Sequence, residues 1–490
     1  MTTLKERRAL YINGEWIPAD AVEPVINPAN ETTLAEAPVA SRTHIEAALA
    51  AGREAFDRGP WPRMSQAQRQ SKLAEFLAAI ERRSEEIIPL IVEETGSVLA
   101  VARFLQFAMP LQLARQMVDI STRPALTPLP VDLVPNEHGS LSLAAGVVSR
   151  EPAGLVVAIT PYNVPFFCNV CKSVPALLAG CSVILKPSPY TPFEALVLGE
   201  IADEVGLPKG LINIVTGGPE VGAALTTDRR VDLITFTGSD KVGATIQAQA
   251  APTLKRVVLE LGGKSALIVR EDADVAMAAA AGLGGITTLA GQGCVLLTRH
   301  LVHNAIRARY VEALRNLIGA VKVGDPNDPA ATMGPLIREA ARSRTERYVA
   351  VALDDGCKLV IGGRRPTNLD RGYYYEPTFF DGVSNDCRIA QEEVFGPVGV
   401  VIGFDTDDEA IAIANDTAYG LSGAIFSANI ARAYEMALQL RTGGVIINGG
   451  FPRLTSSGPF GGVKRSGHGR EFGESGLNEF TYTKTIDFQQ

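Results

Sequence analysis

Three side chains in this 490-residue chain sit where chemistry is possible: Cys294, Glu260 and Asn163. Cys294 lies in LAGQGCVLLTR, behind Gly291 and Gly293. A buried cysteine usually packs as a small hydrophobe, and the segment alone favours that use. A nucleophilic role needs a base, an oxyanion donor and an electron acceptor or leaving group elsewhere. Glu260, in RVVLELGGKSALIV, puts a carboxylate in an apolar strand next to Gly262 and Gly263. Desolvation would raise its pKa and poise it as a general base. Asn163 follows a strand in AITPYNVP. Its amide either aims N–H groups beyond the sheet or caps the next helix, and both uses stay open.

Weaker signals surround these. Lys186 ends the apolar run SVILKP, as a solvated strand end or as an ammonium for ligand hydroxyls or phosphates. TFTGSDKVG, Thr235 to Gly243, places Gly238 and Ser239 in a pyrophosphate-type turn, without the G-x-G-x-x-G fingerprint. Glu392 and Glu393 precede VFGP, where one could hold a ribose or both could be solvated. His300 is near Cys294 in sequence only, so a Cys–His couple has little support.

These groups need a scaffold. From Gly154, short apolar runs alternate with helical stretches: LVVAIT, a helix Pro165 to Ala179, SVILKP, a helix Pro192 to Glu204, INIVTG, a helix from Pro219, LITFTG, a helix Ser239 to Gln249, then RVVLELGG. That rhythm predicts βαβ units and a parallel sheet, with ligands at the C-terminal strand ends. SALIV, VGVVIGF and GGVIIN continue it as strands, with a helix from Asn304 to Ile318. Upstream, helical periodicity covers His44 to Phe56, Ser65 to Ser84 and Ser97 to Asp119. The segment from Arg123 to Arg150 reads as a hairpin reaching away from the body, and NEFTYTKTIDFQQ as a strand.

The length implies at least two lobes. A net charge of −8 argues against nucleic acid, and no basic cluster suggests a membrane surface. The charge-free stretch Val275 to Thr298 is Ala/Gly-rich and reads as a buried helix running into a loop, not a span. The N-terminus lacks a signal-peptide pattern. Six cysteines in so long a chain make no disulfide scaffold. Cys168 and Cys171 form a C-x-x-C without a second ligand set, so no metal is expected. The expected compartment is the cytoplasm.

TPYNVP, ILKPS, FTGS, LELGGK, GQGC, EEVFGP and PFGGVKRSGHGREFG run in order from Thr160 to Gly473. Together they resemble the NAD(P)-dependent aldehyde dehydrogenase superfamily, and the resemblance spans essentially the whole chain. It implies an α/β fold with a Rossmann-like cofactor domain (1–122 and 151–260), an α/β catalytic domain (261–465) and a β oligomerisation flap (123–150 and 475–490). It implies Cys294 as nucleophile, Glu260 as general base, and Asn163 with the Cys294 amide as oxyanion hole. Lys186 would hold the adenosine ribose, Glu393 the nicotinamide ribose, and Phe395 would stand beside the ring. Thr160, Pro161, Tyr162, Ser188, Pro189, Gly218, Gly222, Phe236, Gly238, Ser239, Val242 and Leu261 would complete the cofactor site. The implied reaction takes an aldehyde to an acid through a thiohemiacetal and a thioester. A homodimer or homotetramer is expected.

One departure bears on the cofactor. Many NAD-preferring members carry Glu three residues after the strand-ending Lys, and here that position is Pro189. NAD is favoured and NADP stays open. On the substrate side the resemblance places Val164, Cys168, Cys171, Gly293 and Val295, small or medium residues that suggest a roomy tunnel for a bulky aromatic or branched aldehyde. Arg453, if it points inward, would instead suit the carboxylate of a semialdehyde. Glu260 argues against a CoA-acylating relative, and the presence of thiol, amide and base argues against an inactive one.

Overall fold

The computed structural model describes residues 8–120, 126–135, 137–451, 454–455 and 457–489. Its first sheet has eight strands. The order is Glu15–Pro18, Ala9–Ile12, Ile212–Ile214, Ser182–Lys186, Leu155–Ile159, Leu233–Thr237, Arg256–Glu260 and Gly467–His468. The five strands from Ile212–Ile214 to Arg256–Glu260 are mutually parallel. Val156 and Ala158 enter the core on one face, Leu155, Val157 and Ile159 the core on the other. Burial on both faces explains why these strands read as continuous apolar runs. After Leu155–Ile159 the chain builds outward on one side, then returns to build on the other. A crevice opens beyond the strand ends at that reversal.

The chain leaves this sheet at Glu260 and enters the second at Ser265. The second sheet has seven strands, ordered Lys358–Ile361, Thr378–Asp381, Val398–Phe404, Leu297–His303, Ser265–Val269, Ser422–Phe426 and Gly444–Ile447. All its pairings are parallel except the edge pair Lys358–Ile361 with Thr378–Asp381. The strand Leu297–His303 is hidden in the sequence by Arg299 and His300. Both are buried and satisfied: Arg299 donates to the carbonyls of Lys264, Ile413 and Ala414 and to Asn385, and His300 bonds the Leu297 carbonyl and Tyr310.

A third sheet contains the expected hairpin, with Asp132–Pro135 antiparallel to Leu141–Pro152. The tail Thr481–Gln489 pairs with Leu141–Pro152 of the same chain, from Thr481↔Pro152 to Gln489↔Ala144. The tail is the outermost strand of this sheet, paired on one side by its own chain.

Two helical regions also differ from the sequence reading. A helix Ser84–Thr95 follows the one at Gln66–Arg82, with Pro89 inside it and Gly96 (φ 71°) as its left-handed cap. The proline masks the periodicity. The stretch read as one helix from Ser97 to Asp119 begins at Leu99, and seven of its residues, Ala102–Ala108, are π-helical. The wider turn places Leu105 on the crevice.

Helix Ser84–Thr95 also brings a carboxylate into the core. Glu94 accepts from the amides of Phe193 (2.9 Å) and Glu194 (3.3 Å), at the start of helix Phe193–Glu204. Glu194 is itself wholly buried, and burial, then the Glu94 charge and hydrogen bond, hold its pKa well above the usual carboxylate range. A carboxyl group with a raised native pKa stabilises most below its unfolded value, and that contribution is lost as pH rises through the native one. Glu194→Gln mimics the protonated form. The variant should match wild type near pH 5 and unfold roughly 2–4 °C higher at pH 8.5. Thermal melts at the two pH values check this.

Candidate active site

The crevice is a cavity of about 690 Å³ between the strand ends of the first sheet and the Cys294 loop. Cys294 is delivered by an unusual turn. Leu289, Ala290 and Gly291 have φ of 53°, 52° and 74°, three consecutive left-handed residues. A Cβ on Gly291 would lie 2.1 Å from the Gly396 carbonyl, so only glycine fits. Strain of this kind persists where surrounding contacts hold it. Here Gln292 supplies them: its side chain donates to the Leu289 carbonyl (3.0 Å) and accepts from the Ile337 amide (3.1 Å). Its backbone carbonyl accepts from Asn163 Nδ2 at 2.8 Å. Asn163 does not cap the next helix, whose N-cap is Val164 with no side-chain bond. Its amide instead ties the loop after Leu155–Ile159 to the thiol loop.

Cys294 and Glu260 line the same cavity. Burial, then the nearby carboxylates Glu393 and Glu260, push the Cys294 thiol up to about 12. Glu260 is 3% exposed and neither carboxyl oxygen has a hydrogen-bond partner. Burial, then the charge of Glu471, holds its pKa well above the carboxylate range, while Lys172 and Arg470 pull the other way. In sequence Glu260 looked like a lone carboxylate. In the fold it has company: Glu471 lines the cavity and pairs at 2.5 Å with Lys172, which is buried and also donates to Thr235. Lys172 was hidden as one cation in an apolar helix.

Every residue expected to meet a cofactor lines this cavity. Lys186 is 5% exposed, donates to the Pro187 carbonyl, and is lowered to about 8 by burial. Gly222 faces it with no atom nearer than 3.9 Å to an added Cβ, leaving room for a ligand. Ser239 caps helix Asp240–Ala250, whose N-terminus opens on the crevice. Glu393, not Glu392, is the carboxylate turned inward. It accepts from the Gly263 amide at 2.8 Å and is raised to about 7 by burial. Glu392 is held outside by Tyr348 and Arg388. Phe395 stands edge-on to Tyr162, with ring centroids 6.1 Å apart. The sequence reading missed Arg338 and Arg344, which line the cavity from helix Glu339–Asp354 and its N-cap.

On the thiol side, Val164, Cys168, Gly293 and Val295 reach the cavity. Cys171 does not: it packs with Leu113, Met117 and Phe472 in a small apolar core. Cys168, three residues earlier on the same helix face, shares that core and also reaches the cavity. Arg453 lies outside the described residues. The rest of this wall, Leu105, Phe167, Phe451, Leu454, Phe460 and Phe472, was not read from the sequence because it comes from four separated segments. Among the described residues, no cluster of His, Cys, Asp or Glu could hold a metal ion, and no helix is long and apolar enough to cross a membrane.

A doubly wound sheet with a ligand crevice at its topological reversal, and a thiol and a carboxyl group facing into it, defines an α/β dinucleotide-binding type of enzyme fold. The sequence profile of the aldehyde dehydrogenase family matches residues 16–486, and the chain belongs to that family of oxidoreductases. It is 39% identical over 487 residues to a 3-succinoylsemialdehyde-pyridine dehydrogenase of Pseudomonas sp., covering 99% of each chain. It is similar in structure to betaine aldehyde dehydrogenase of Staphylococcus aureus in complex with NAD+ (TM-score 0.94, 34% identity, 98% and 94% coverage). It is also similar to an aldehyde dehydrogenase of Mycobacterium tuberculosis complexed with NAD+ (TM-score 0.91, 40% identity, 98% and 97% coverage).

Proposed function

We propose that this enzyme oxidises a bulky, uncharged aldehyde, aromatic or branched, to its carboxylic acid with NAD. The observation that carries the substrate class is the wall of Leu105, Phe167, Phe451, Leu454, Phe460 and Phe472 beside Cys294. Apolar walls favour apolar ligands by the area they remove from water. The pyridine ring in the name of the Pseudomonas relative agrees with an aromatic occupant. The test is kcat/KM over a panel of arylaldehydes, branched aliphatic aldehydes, betaine aldehyde and succinic semialdehyde. Arylaldehydes should exceed the charged substrates by about tenfold or more. Preference for succinic semialdehyde would move the assignment to the carboxylate-bearing class.

NAD fits the crevice: Gly222 leaves space beside Lys186, and the Ser239 helix end offers amides to phosphate. Lys186 and Glu393 would hold the two riboses, and Phe395 would flank the ring. NAD supplies the hydride acceptor that converts a thiohemiacetal on Cys294 to a thioester. The chain does the rest. Cys294 sulfur adds to the aldehyde carbon as its thiol proton passes to water, and the carbonyl π pair moves to oxygen. The oxyanion takes hydrogen bonds from the Asn163 amide and the Cys294 N–H. Glu260 then takes a proton from the water that attacks the thioester carbon, the C–S bond breaks, the acid leaves, and the Cys294 thiolate takes the proton back.

NAD is preferred over NADP because Glu220 and Glu23 place negative charge near Lys186, where a 2′-phosphate would sit. Pro189 contributes no charge there. Pro189→Glu should raise the kcat/KM ratio of NAD over NADP on the order of tenfold, through new ribose hydrogen bonds and like-charge repulsion. An unchanged ratio would place discrimination elsewhere.

The third sheet exposes Leu126, Leu133, Leu141, Leu143 and Phe488. Copies of the chain associate through this apolar flap. Sedimentation should show a dimer or tetramer at micromolar concentration, and a stable monomer would contradict it.

A further inference from the structure

Two thiols that the cavity does not use lie against each other. The sulfurs of Cys357 and Cys387 are 3.8 Å apart, in the range of van der Waals contact. Both are free. Cys357 follows the turn that ends helix Glu339–Asp354, and its amide bonds the Ala352 carbonyl. Cys387 caps the short helix Arg388–Gln391. Cys357 is buried and Cys387 half-buried, so an oxidant reaches Cys387 first. A disulfide bond is about 2.05 Å long, so closing the pair requires a movement of about 1.8 Å, within the reach of a surface helix end.

The pair stands at the end of an existing set of ties. Helix Glu339–Asp354 is bound to the segment after Cys387 at two points: Tyr348 donates to Glu392 at 2.7 Å, and Arg344 donates to the Phe395 carbonyl at 3.1 Å. Between those ties is Glu393. A third, covalent tie would draw the start of Arg388–Gln391 toward the helix and carry the chain bearing Glu393 with it.

We propose that Cys357 and Cys387 are a peroxide-sensitive pair whose disulfide weakens NAD binding by displacing Glu393. The second half rests on the reading of Glu393 as a ribose ligand. In the first step the Cys387 sulfur attacks hydrogen peroxide. An S–O bond forms, the O–O bond breaks, and hydroxide leaves with the thiol proton as water. In the second, the Cys357 sulfur attacks the sulfenic sulfur. The S–S bond forms, the S–O bond breaks, and hydroxide leaves with the Cys357 proton as a second water. The two thiols lose two electrons and the peroxide gains them. Burial and the neighbouring Cys387 push the Cys357 thiol up to about 11, so Cys357 suits the role of the resolving thiol rather than the one oxidised first.

The test uses the full chain carrying Cys294→Ala, which removes the more exposed of the two cavity thiols. After peroxide treatment and alkylation, peptide mapping should find one linked pair containing residues 357 and 387, lighter by two hydrogens, reversed by dithiothreitol and absent when Cys387→Ser is added. Calorimetry should show the NAD Kd raised by about threefold or more in the oxidised form and unchanged by peroxide in the Cys387→Ser background. Glu393→Gln, kept reduced, should weaken NAD binding by itself. Full alkylation of both cysteines after peroxide overturns the pair. A linked pair with unchanged NAD affinity, while Glu393→Gln weakens binding, overturns the coupling alone. If Glu393→Gln leaves NAD affinity unchanged, the ribose reading fails and takes the coupling with it, and the linkage is judged by the map.

Discussion

Cys294→Ala is expected to lower kcat by about 10⁴-fold or more and to leave NAD affinity within about twofold of wild type. The cavity has one other thiol, Cys168. That thiol is buried in the small apolar core with Phe167 and Phe472, whereas Cys294 is half-buried, so it is a poor substitute. The turn through Leu289, Ala290 and Gly291 is set by Gln292 and Gly396, not by the thiol, so alanine should leave the loop in place. Steady-state oxidation of the best panel aldehyde measures the loss, and calorimetry with NAD measures the retained affinity. Substantial activity in a clean alanine preparation would remove Cys294 from the reaction.

Glu260→Gln is expected to lower steady-state turnover by about 10²–10⁴-fold while sparing the first chemical half. Rapid mixing should give a burst of NADH followed by a stall, because an amide cannot take a proton from water. The pH profile adds a second readout. Burial holds the Glu260 pKa above the carboxylate range, so the basic form is scarce in acid and grows as pH rises. Wild-type kcat should therefore climb with pH through that raised value, and the limb should vanish in the glutamine variant. An unchanged steady-state rate would mean that another group activates the water. Glu471 is the first to examine, since it lines the cavity near Glu260.

What the sequence by itself determined was local or repetitive. The alternation of short apolar runs with helical stretches from Gly154 onward is enough to predict a parallel sheet, because strands buried on both faces must be apolar throughout. The ordered motifs singled out Cys294, Glu260, Asn163, Lys186 and Glu393 only through their resemblance to the aldehyde dehydrogenase superfamily. Where a polar or kinking residue interrupts a pattern, periodicity fails. Pro89 hid helix Ser84–Thr95, and Arg299 and His300 hid a central strand.

The tertiary structure decided the rest, because it depends on which distant segments meet. Asn163 could have capped a helix, and only the approach of the Gln292 carbonyl turned its amide to the thiol loop. Glu260 acquired Glu471 and Lys172 as neighbours from opposite parts of the chain. Of two adjacent carboxylates, the Gly263 amide holds Glu393 inward while Tyr348 and Arg388 hold Glu392 outward. Cys168 and Cys171 are equivalent in a motif and share one small apolar core, but only Cys168 also reaches the cavity. The tail strand found its partner within its own chain. In each case the side chain has two chemically sensible uses, and long-range contact, which no local pattern encodes, selects one.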